Sequence, residues 1–224
     1  MVVLHGDGPP PHENPGYQYI FASKVATQNT NVVAVGLLRP GYTDPQGNHS
    51  DGDSGRRDGD NWNARNTDAI ADAILKLKLK YEASKVIVAG HSGGAAITAN
   101  ILGRHPQLID AALLVSCPCG DVNKWRESML RLTNIPVFKG KIDSLSPITQ
   151  TKNISAQTRI VLMVGTDDPV APLNFSNEYR EVASKAGKNV TLIKLPGRTH
   201  DTFIYSKVFK ELSTLISLID EPGN

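Results

Sequence analysis

Six short apolar runs set the rhythm of this chain: VVL (2–4), NVVAVG (31–36), KVIVAG (85–90), AALLVS (111–116), RIVLMVG (159–165) and NVTLIKL (189–195). They are nearly continuous in aliphatic and β-branched character, as strands covered on both faces must be. Residues 17–28, 63–81, 95–104, 173–186 and 202–219 read instead as helices. In the 63–81 stretch, Ile70, Ile74, Leu77 and Tyr81 fall on one stripe at helical spacing. Strand alternating with helix predicts an α/β fold with a mostly parallel sheet of about six strands and helices on both faces. With 224 residues and 40% hydrophobic content, the chain can bury one substantial core, so a single domain over residues 1–224 is expected.

Two stretches break the rhythm. Residues 38–62 form a long polar loop rich in glycine and aspartate, and residues 117–150 lack a clean strand but carry WRESMLRL, a short helix. Both follow strand ends on the edge where open α/β sheets bind ligands, and loops of this length tend to be functional or mobile. Residues 117–150 are the expected small cap.

The run at 85–90 ends in Gly90-His91-Ser92-Gly93-Gly94. A serine fenced by glycines between strand and helix matches a nucleophile elbow. The reason is steric: the turn is strained, the hydroxyl is pushed away from the sheet, and side chains two positions to either side would meet backbone. A hydroxyl alone is a poor nucleophile. It needs a base to take its proton and a carboxylate to orient that base. Behind such an elbow the order is serine, acid, histidine. Only His105 and His200 follow Ser92, and His105 stands at a helix end, where capping explains it. His200, in the loop LPGRTHDTF after the last strand, is the candidate base. After RIVLMVG, the acid is Asp167 or Asp168, and periodicity does not choose between them. The oxyanion needs two backbone donors: one from Gly93, the other from His5-Gly6-Asp7-Gly8, whose glycines let amides approach a substrate. His5 itself precedes the serine, and its expected task is to hold that loop by hydrogen bonds.

HGDG at 5–8, GHSGG at 90–94, GTDDPVAP at 165–172 and GRTHD at 197–201 together resemble the α/β-hydrolase superfamily over nearly the whole chain. In that family the acid commonly stands three residues after the glycine ending its strand. The resemblance therefore implies Asp168, with Ser92 as nucleophile and His200 as base. It also implies that the Asp7 amide, following the HG pair, is the second oxyanion donor. The family's usual first two strands do not precede VVLHG, which is why about six strands are expected. No large lid is present.

Other features carry less. A formal net charge of +2 gives no basic patch for nucleic acid, and no apolar run reaches bilayer length. The N-terminus does not read as a signal peptide, and a cytoplasmic location is the default. Cys117 and Cys119 are expected to be buried thiols, because a bridge between them would close a very small ring. DGDSGRRDGD (51–60) fails as a calcium loop: position five is Gly55, position twelve is not glutamate, and Arg56 and Arg57 would repel a cation. Tyr42 is either a wall of the substrate pocket or a packing residue. Trp125 and Arg126 either line a pocket or pack a helix inward. His91 is expected to be structural.

The reading that follows is a serine hydrolase of a small ester or thioester, using neither metal nor organic cofactor. A prolyl-peptidase-like enzyme ranks lower, since such relatives carry an added domain for which the chain has no room. A binding protein on an inactive hydrolase scaffold is the third reading.

Overall fold

The computed structural model describes residues 1–8, 16–55, 59–142 and 144–220. Six strands, β1 (Val2–Leu4), β2 (Val35–Leu37), β3 (Ile87–His91), β4 (Ala111–Val115), β5 (Arg159–Gly165) and β6 (Asn189–Leu195), form one sheet in the order β2-β1-β3-β4-β5-β6. Every neighbouring pair is parallel. The helices are α1 (Tyr17–Gln28), α2 (Ala64–Lys80), α3 (Gly93–Arg104), α4 (Val122–Thr133), α5 (Pro147–Gln150), α6 (Leu173–Lys185) and α7 (Ser206–Asp220).

Strand period two divides the apolar residues between two cores. Val2, Leu4, Val88, Ala112, Leu114, Ile160 and Leu162 join buried residues of α2, α3, α4 and α6 on one face. Val3, Ile87, Ala89, Ala111, Leu113, Val115 and Met163 join Phe21 and Val25 of α1 and Phe209, Leu212 and Ile216 of α7 on the other. This is why the central strands read as unbroken apolar runs. On α2 the stripe predicted from spacing holds for Ile70 and Ile74, whereas Tyr81 lies beyond the helix and is exposed.

Two boundaries moved. The strand expected at 31–36 is reduced to Val35–Leu37, since its pairing partner β1 first engages it at Val2↔Val35. The elbow helix starts at Gly93 rather than at residue 95, because both glycines after Ser92 already have helical backbone. In the 117–150 segment, α4 is capped by the Asp121 carboxylate, which accepts from the amides of Asn123 and Lys124. The segment packs Val122, Trp125, Met129 and Phe138 into the first core. Among the described residues no helix is long and apolar enough to cross a membrane.

Candidate active site

The parallel order puts β3 beside both β1 and β4, so loops from four strand ends meet around the β3–α3 turn. At that turn Ser92 has φ 51° and ψ −120°, a conformation that costs a non-glycine residue on the order of 1–3 kcal/mol. Its amide donates to the Val115 carbonyl at 3.0 Å. A methyl group at Gly90 would stand 2.6 Å from the Gly94 carbonyl oxygen, and one at Gly94 would stand 2.7 Å from that of Leu4. The glycines are therefore required by backbone contact, as the steric reading of the sequence held.

Three side chains stand in series. Ser92 Oγ lies 3.0 Å from His200 Nε2. His200 Nδ1 lies 3.0 and 3.1 Å from the two Asp168 oxygens. Of the two aspartates left open by periodicity, Asp168 is the buried one, while Asp167 is exposed and takes the Thr166 hydroxyl at 2.8 Å. Burial alone would raise the Asp168 pKa. The hydrogen bond and charge of His200 and the amides of Ala171 (2.8 Å) and Val170 (2.9 Å) outweigh it and hold the carboxyl below its ordinary value. With Asp168 ionised, the His200 proton resides on Nδ1 and leaves Nε2 free to accept from a hydroxyl. The His200 carbonyl is itself held by the Ser116 hydroxyl and the Thr202 amide, both at 2.9 Å.

The loop after β1 is pinned residue by residue. His5 Nε2 accepts the Arg39 amide at 3.0 Å, so its proton is on Nδ1, 2.8 Å from the Gly6 carbonyl. This is the loop-holding task expected of His5. The Gly6 amide donates to Tyr17 at 2.5 Å and the Gly8 amide to Tyr42 at 3.3 Å. Between them, the Asp7 amide finds no acceptor among the described residues, and neither does that of Gly93. The wholly buried Arg39 guanidinium reaches the Asp7 carboxylate (2.7 Å), the His5 carbonyl (3.1 Å) and Asn61 (2.9 Å). Trp62 Nε1 donates to the same carboxylate at 3.1 Å. That carboxylate lies so close that a methyl group at Gly93 would collide with it.

Two sequence expectations are corrected and one open choice is resolved. Gly8 is not a free donor, because its amide is taken by Tyr42. Tyr42, either pocket wall or packing residue in the sequence, is only 1% exposed and accepts that amide, so the packing alternative fits its position. Cys117 and Cys119 are disulfide-bonded rather than thiols. Their Cα atoms, on either side of Pro118, stand 5.0 Å apart, within the span of a bridge. Trp125 and Arg126 pack inward. The Trp125 indole donates to the Val170 carbonyl at 2.8 Å and its ring lies 4.9 Å from that of Trp62, and Arg126 is buried against the carbonyls of residues 137–140. His105 caps α3 and pairs with Asp68 at 2.8 Å. Arg56 and Arg57 of the rejected calcium loop lie outside the described residues.

Sequence reasoning missed Arg39 as an anchor, along with Tyr17, Trp62 and Ser116. No local signal in the sequence marked them, since their partners lie far off in the chain.

The fold and the convergence of strand-end loops on an elbow serine are those of the α/β-hydrolase superfamily. Within it, the chain belongs to the prolyl oligopeptidase family, whose model matches residues 42–220, and it is thus an α/β-type serine hydrolase. No curated protein matches it in sequence. Among solved structures, an esterase of Pyrococcus furiosus is similar at 15% identity and a TM-score of 0.71, over 97% of this chain and 80% of that one. A monoacylglycerol lipase of Paleococcus ferrophilus is similar at 16% identity and a TM-score of 0.65, over 97% and 92%. An acylaminoacyl peptidase of Pyrococcus horikoshii is similar at 17% identity and a TM-score of 0.67, over all of this chain but 38% of that one. At such identities the likeness concerns the fold alone.

Proposed function

We propose that the chain hydrolyses a small carboxylic ester or thioester through an acyl-enzyme on Ser92. Ser92 Oγ attacks the carbonyl carbon while His200 Nε2 takes the hydroxyl proton, and Asp168 orients the imidazole and stabilises its charged form. The amides of Gly93 and Asp7 receive the oxyanion, assisted by the N-terminal end of α3. His200 then returns the proton to the leaving alcohol or thiol. Water, deprotonated by the same imidazole, releases the acid.

What carries the reading is the unbroken series from Ser92 Oγ through His200 to Asp168, each link 3.0–3.1 Å. It is supported by the amides of Gly93 and Asp7, neither of which finds an acceptor among the described residues. A carboxylate as near as that of Asp7 would oppose a developing oxyanion, and the Arg39 guanidinium at 2.7 Å offsets it. Burial by itself would lower the Arg39 pKa, but the Asp7 charge outweighs it and keeps the cation. In this reading the chain acts as one domain, with residues 117–150 as a small cap over the site. The chemistry uses no metal or organic cofactor.

The test is covalent labelling by a fluorophosphonate. Stoichiometric reaction lost in Ser92→Ala is expected, and failure of the folded protein to react would leave the binding-protein reading in its place. A series of nitrophenyl esters should show preference for acetyl or butyryl over long acyl chains. A long-chain preference would overturn the small-ester assignment.

Membership of the prolyl oligopeptidase family favours a second reading, cleavage of a peptide or aminoacyl amide by the same residues. Comparing kcat/KM for an ester and for the matched anilide separates the two, the ester being expected to exceed the amide by far more than their intrinsic reactivity.

A further inference from the structure

The His91 side chain is buried beside Ser92, and its two ring nitrogens face different loops. Nε2 lies 3.3 Å from the His200 carbonyl oxygen, which can only accept, so the proton is on Nε2. Burial, reinforced by the nearby His200, lowers the His91 pKa to about 4, so the ring is neutral under ordinary conditions. Nδ1 is then an acceptor. The group 2.9 Å away is the Tyr17 hydroxyl, which must donate to it. The same hydroxyl oxygen accepts the Gly6 amide. Each assignment forces the next. The result is one chain with all donors pointing the same way: Gly6 N–H to Tyr17 O–H to His91 Nε2–H to the His200 carbonyl.

Its two ends are the interesting part. Gly6 immediately precedes Asp7, whose amide finds no acceptor among the described residues, and His200 is the proposed base. The middle is rigid as well as polar. Tyr17 packs edge-on to His91 and to Phe203, and His91 lies 5.3 Å from the Phe203 ring.

We infer that Tyr17 and His91 are positioning residues which tie the oxyanion loop to the loop carrying His200, setting the distance between oxyanion donor and base. The inference rests on the catalytic reading of Ser92, His200 and the Asp7 amide given above. The His200 carbonyl also has Ser116 and Thr202 as donors, whereas the Gly6 amide has Tyr17. Loss of the relay should therefore loosen the oxyanion side first. A misplaced oxyanion donor weakens transition-state binding and leaves ground-state binding nearly unaltered, so kcat should fall and KM should not.

The experiment is a set of variants read by steady-state kinetics. Tyr17→Phe keeps the ring and its packing but removes the hydroxyl, and should lower kcat about 10- to 100-fold with KM within about twofold. His91→Phe should act in the same direction. His91→Asn, whose side-chain oxygen falls near the Nδ1 position, should recover part of the loss by restoring the Tyr17 acceptor. Tyr17→Phe combined with His91→Phe should be no worse than the worse single variant, because one relay can be broken only once. A kcat for Tyr17→Phe within twofold of wild type, or losses that multiply in the double variant, would overturn the inference. Should the variants not fold, the 15N shifts of His91 in the wild-type protein decide: a proton on Nε2 supports the relay and a proton on Nδ1 removes it. Fluorophosphonate labelling of wild type keeps the two levels apart. If wild type does not label, the catalytic reading itself has failed; if it labels and Tyr17→Phe labels as fast, only the relay has.

Discussion

The two ends of the same sheet could hardly be built more differently. At the ends of the strands where Ser92 sits, polar side chains are buried and paired: His5, Arg39, Asn61, His91, Ser116, Asp168 and Thr202. At the opposite ends lies a cleft of about 660 Å³ lined by Lys85, Asp110, Gln157, Arg159 and Asn189. Its charged groups remain wetted, and the Lys85–Asp110 pair is 3.4 Å long with both side chains about a third exposed. Water already solvates such groups, so they have little left to offer a reacting substrate. Groups held out of water in fixed orientation interact more strongly with a developing charge and need not reorganise. Desolvated, pre-aimed dipoles, rather than open space, mark the end suited to chemistry.

That contrast can be attacked from its strongest side. Asp168→Asn preserves shape but removes the charge that fixes the His200 tautomer, and kcat should drop roughly 10⁴-fold, as measured by ester hydrolysis, with little change in melting temperature. A loss below tenfold would mean that the buried end is no more specialised than the open one. Arg39→Met leaves the Asp7 carboxylate, beside the proposed oxyanion position, without its partner. Stability should fall by about 3 kcal/mol in urea titration. A further loss of kcat is expected, partly restored when Asp7→Asn is added.

Acid should also act on the buried end. The His91 pKa is about 4 in the folded chain against 6.5 unfolded, so between those values the unfolded chain binds the extra proton. The contribution is complete above about pH 6.5 and is lost as pH falls toward 4, up to about 3 kcal/mol. Burial pushes His5 the same way. Melting curves from pH 7 to 4.5 should show the decline, and His91→Phe should flatten it. The smallest effect belongs to the open cleft, where Lys85→Ala should change stability by less than about 1 kcal/mol and leave kcat/KM unaltered.

What the sequence made legible follows the same division. The central strands were readable because burial on both faces leaves no polar alternation to confuse them, and the elbow because its glycines answer a backbone clash that any residue at 90 or 94 would face. Asp168 needed the family pattern, since Asp167 has the same chemistry and differs only in which way the strand end turns it. Arg39, Tyr17 and Trp62 were not readable as parts of the site. Their partners lie far off in the chain, and nothing local distinguishes a guanidinium that will be buried against Asp7 from one left in water. The cysteines were not readable as a bridge because a separation of two suggests a ring too small to close, whereas a Cα–Cα distance of 5.0 Å lies within the ordinary span of a disulfide.

The topology sets one long excursion of the chain apart from the candidate site. The chain leaves the sheet after β4 and returns at Arg159, and none of Ser92, Asp168 and His200 belongs to that excursion. Its indole bond from Trp125 to the Val170 carbonyl braces the turn bearing Asp168, so a transplant from a relative must keep that brace. Ser116, which holds the His200 carbonyl, must be kept as well. With both kept, exchange of the excursion leaves untouched the elements that carry Ser92, Asp168 and His200. If the segment caps the site as proposed, selectivity then changes by exchange of one module.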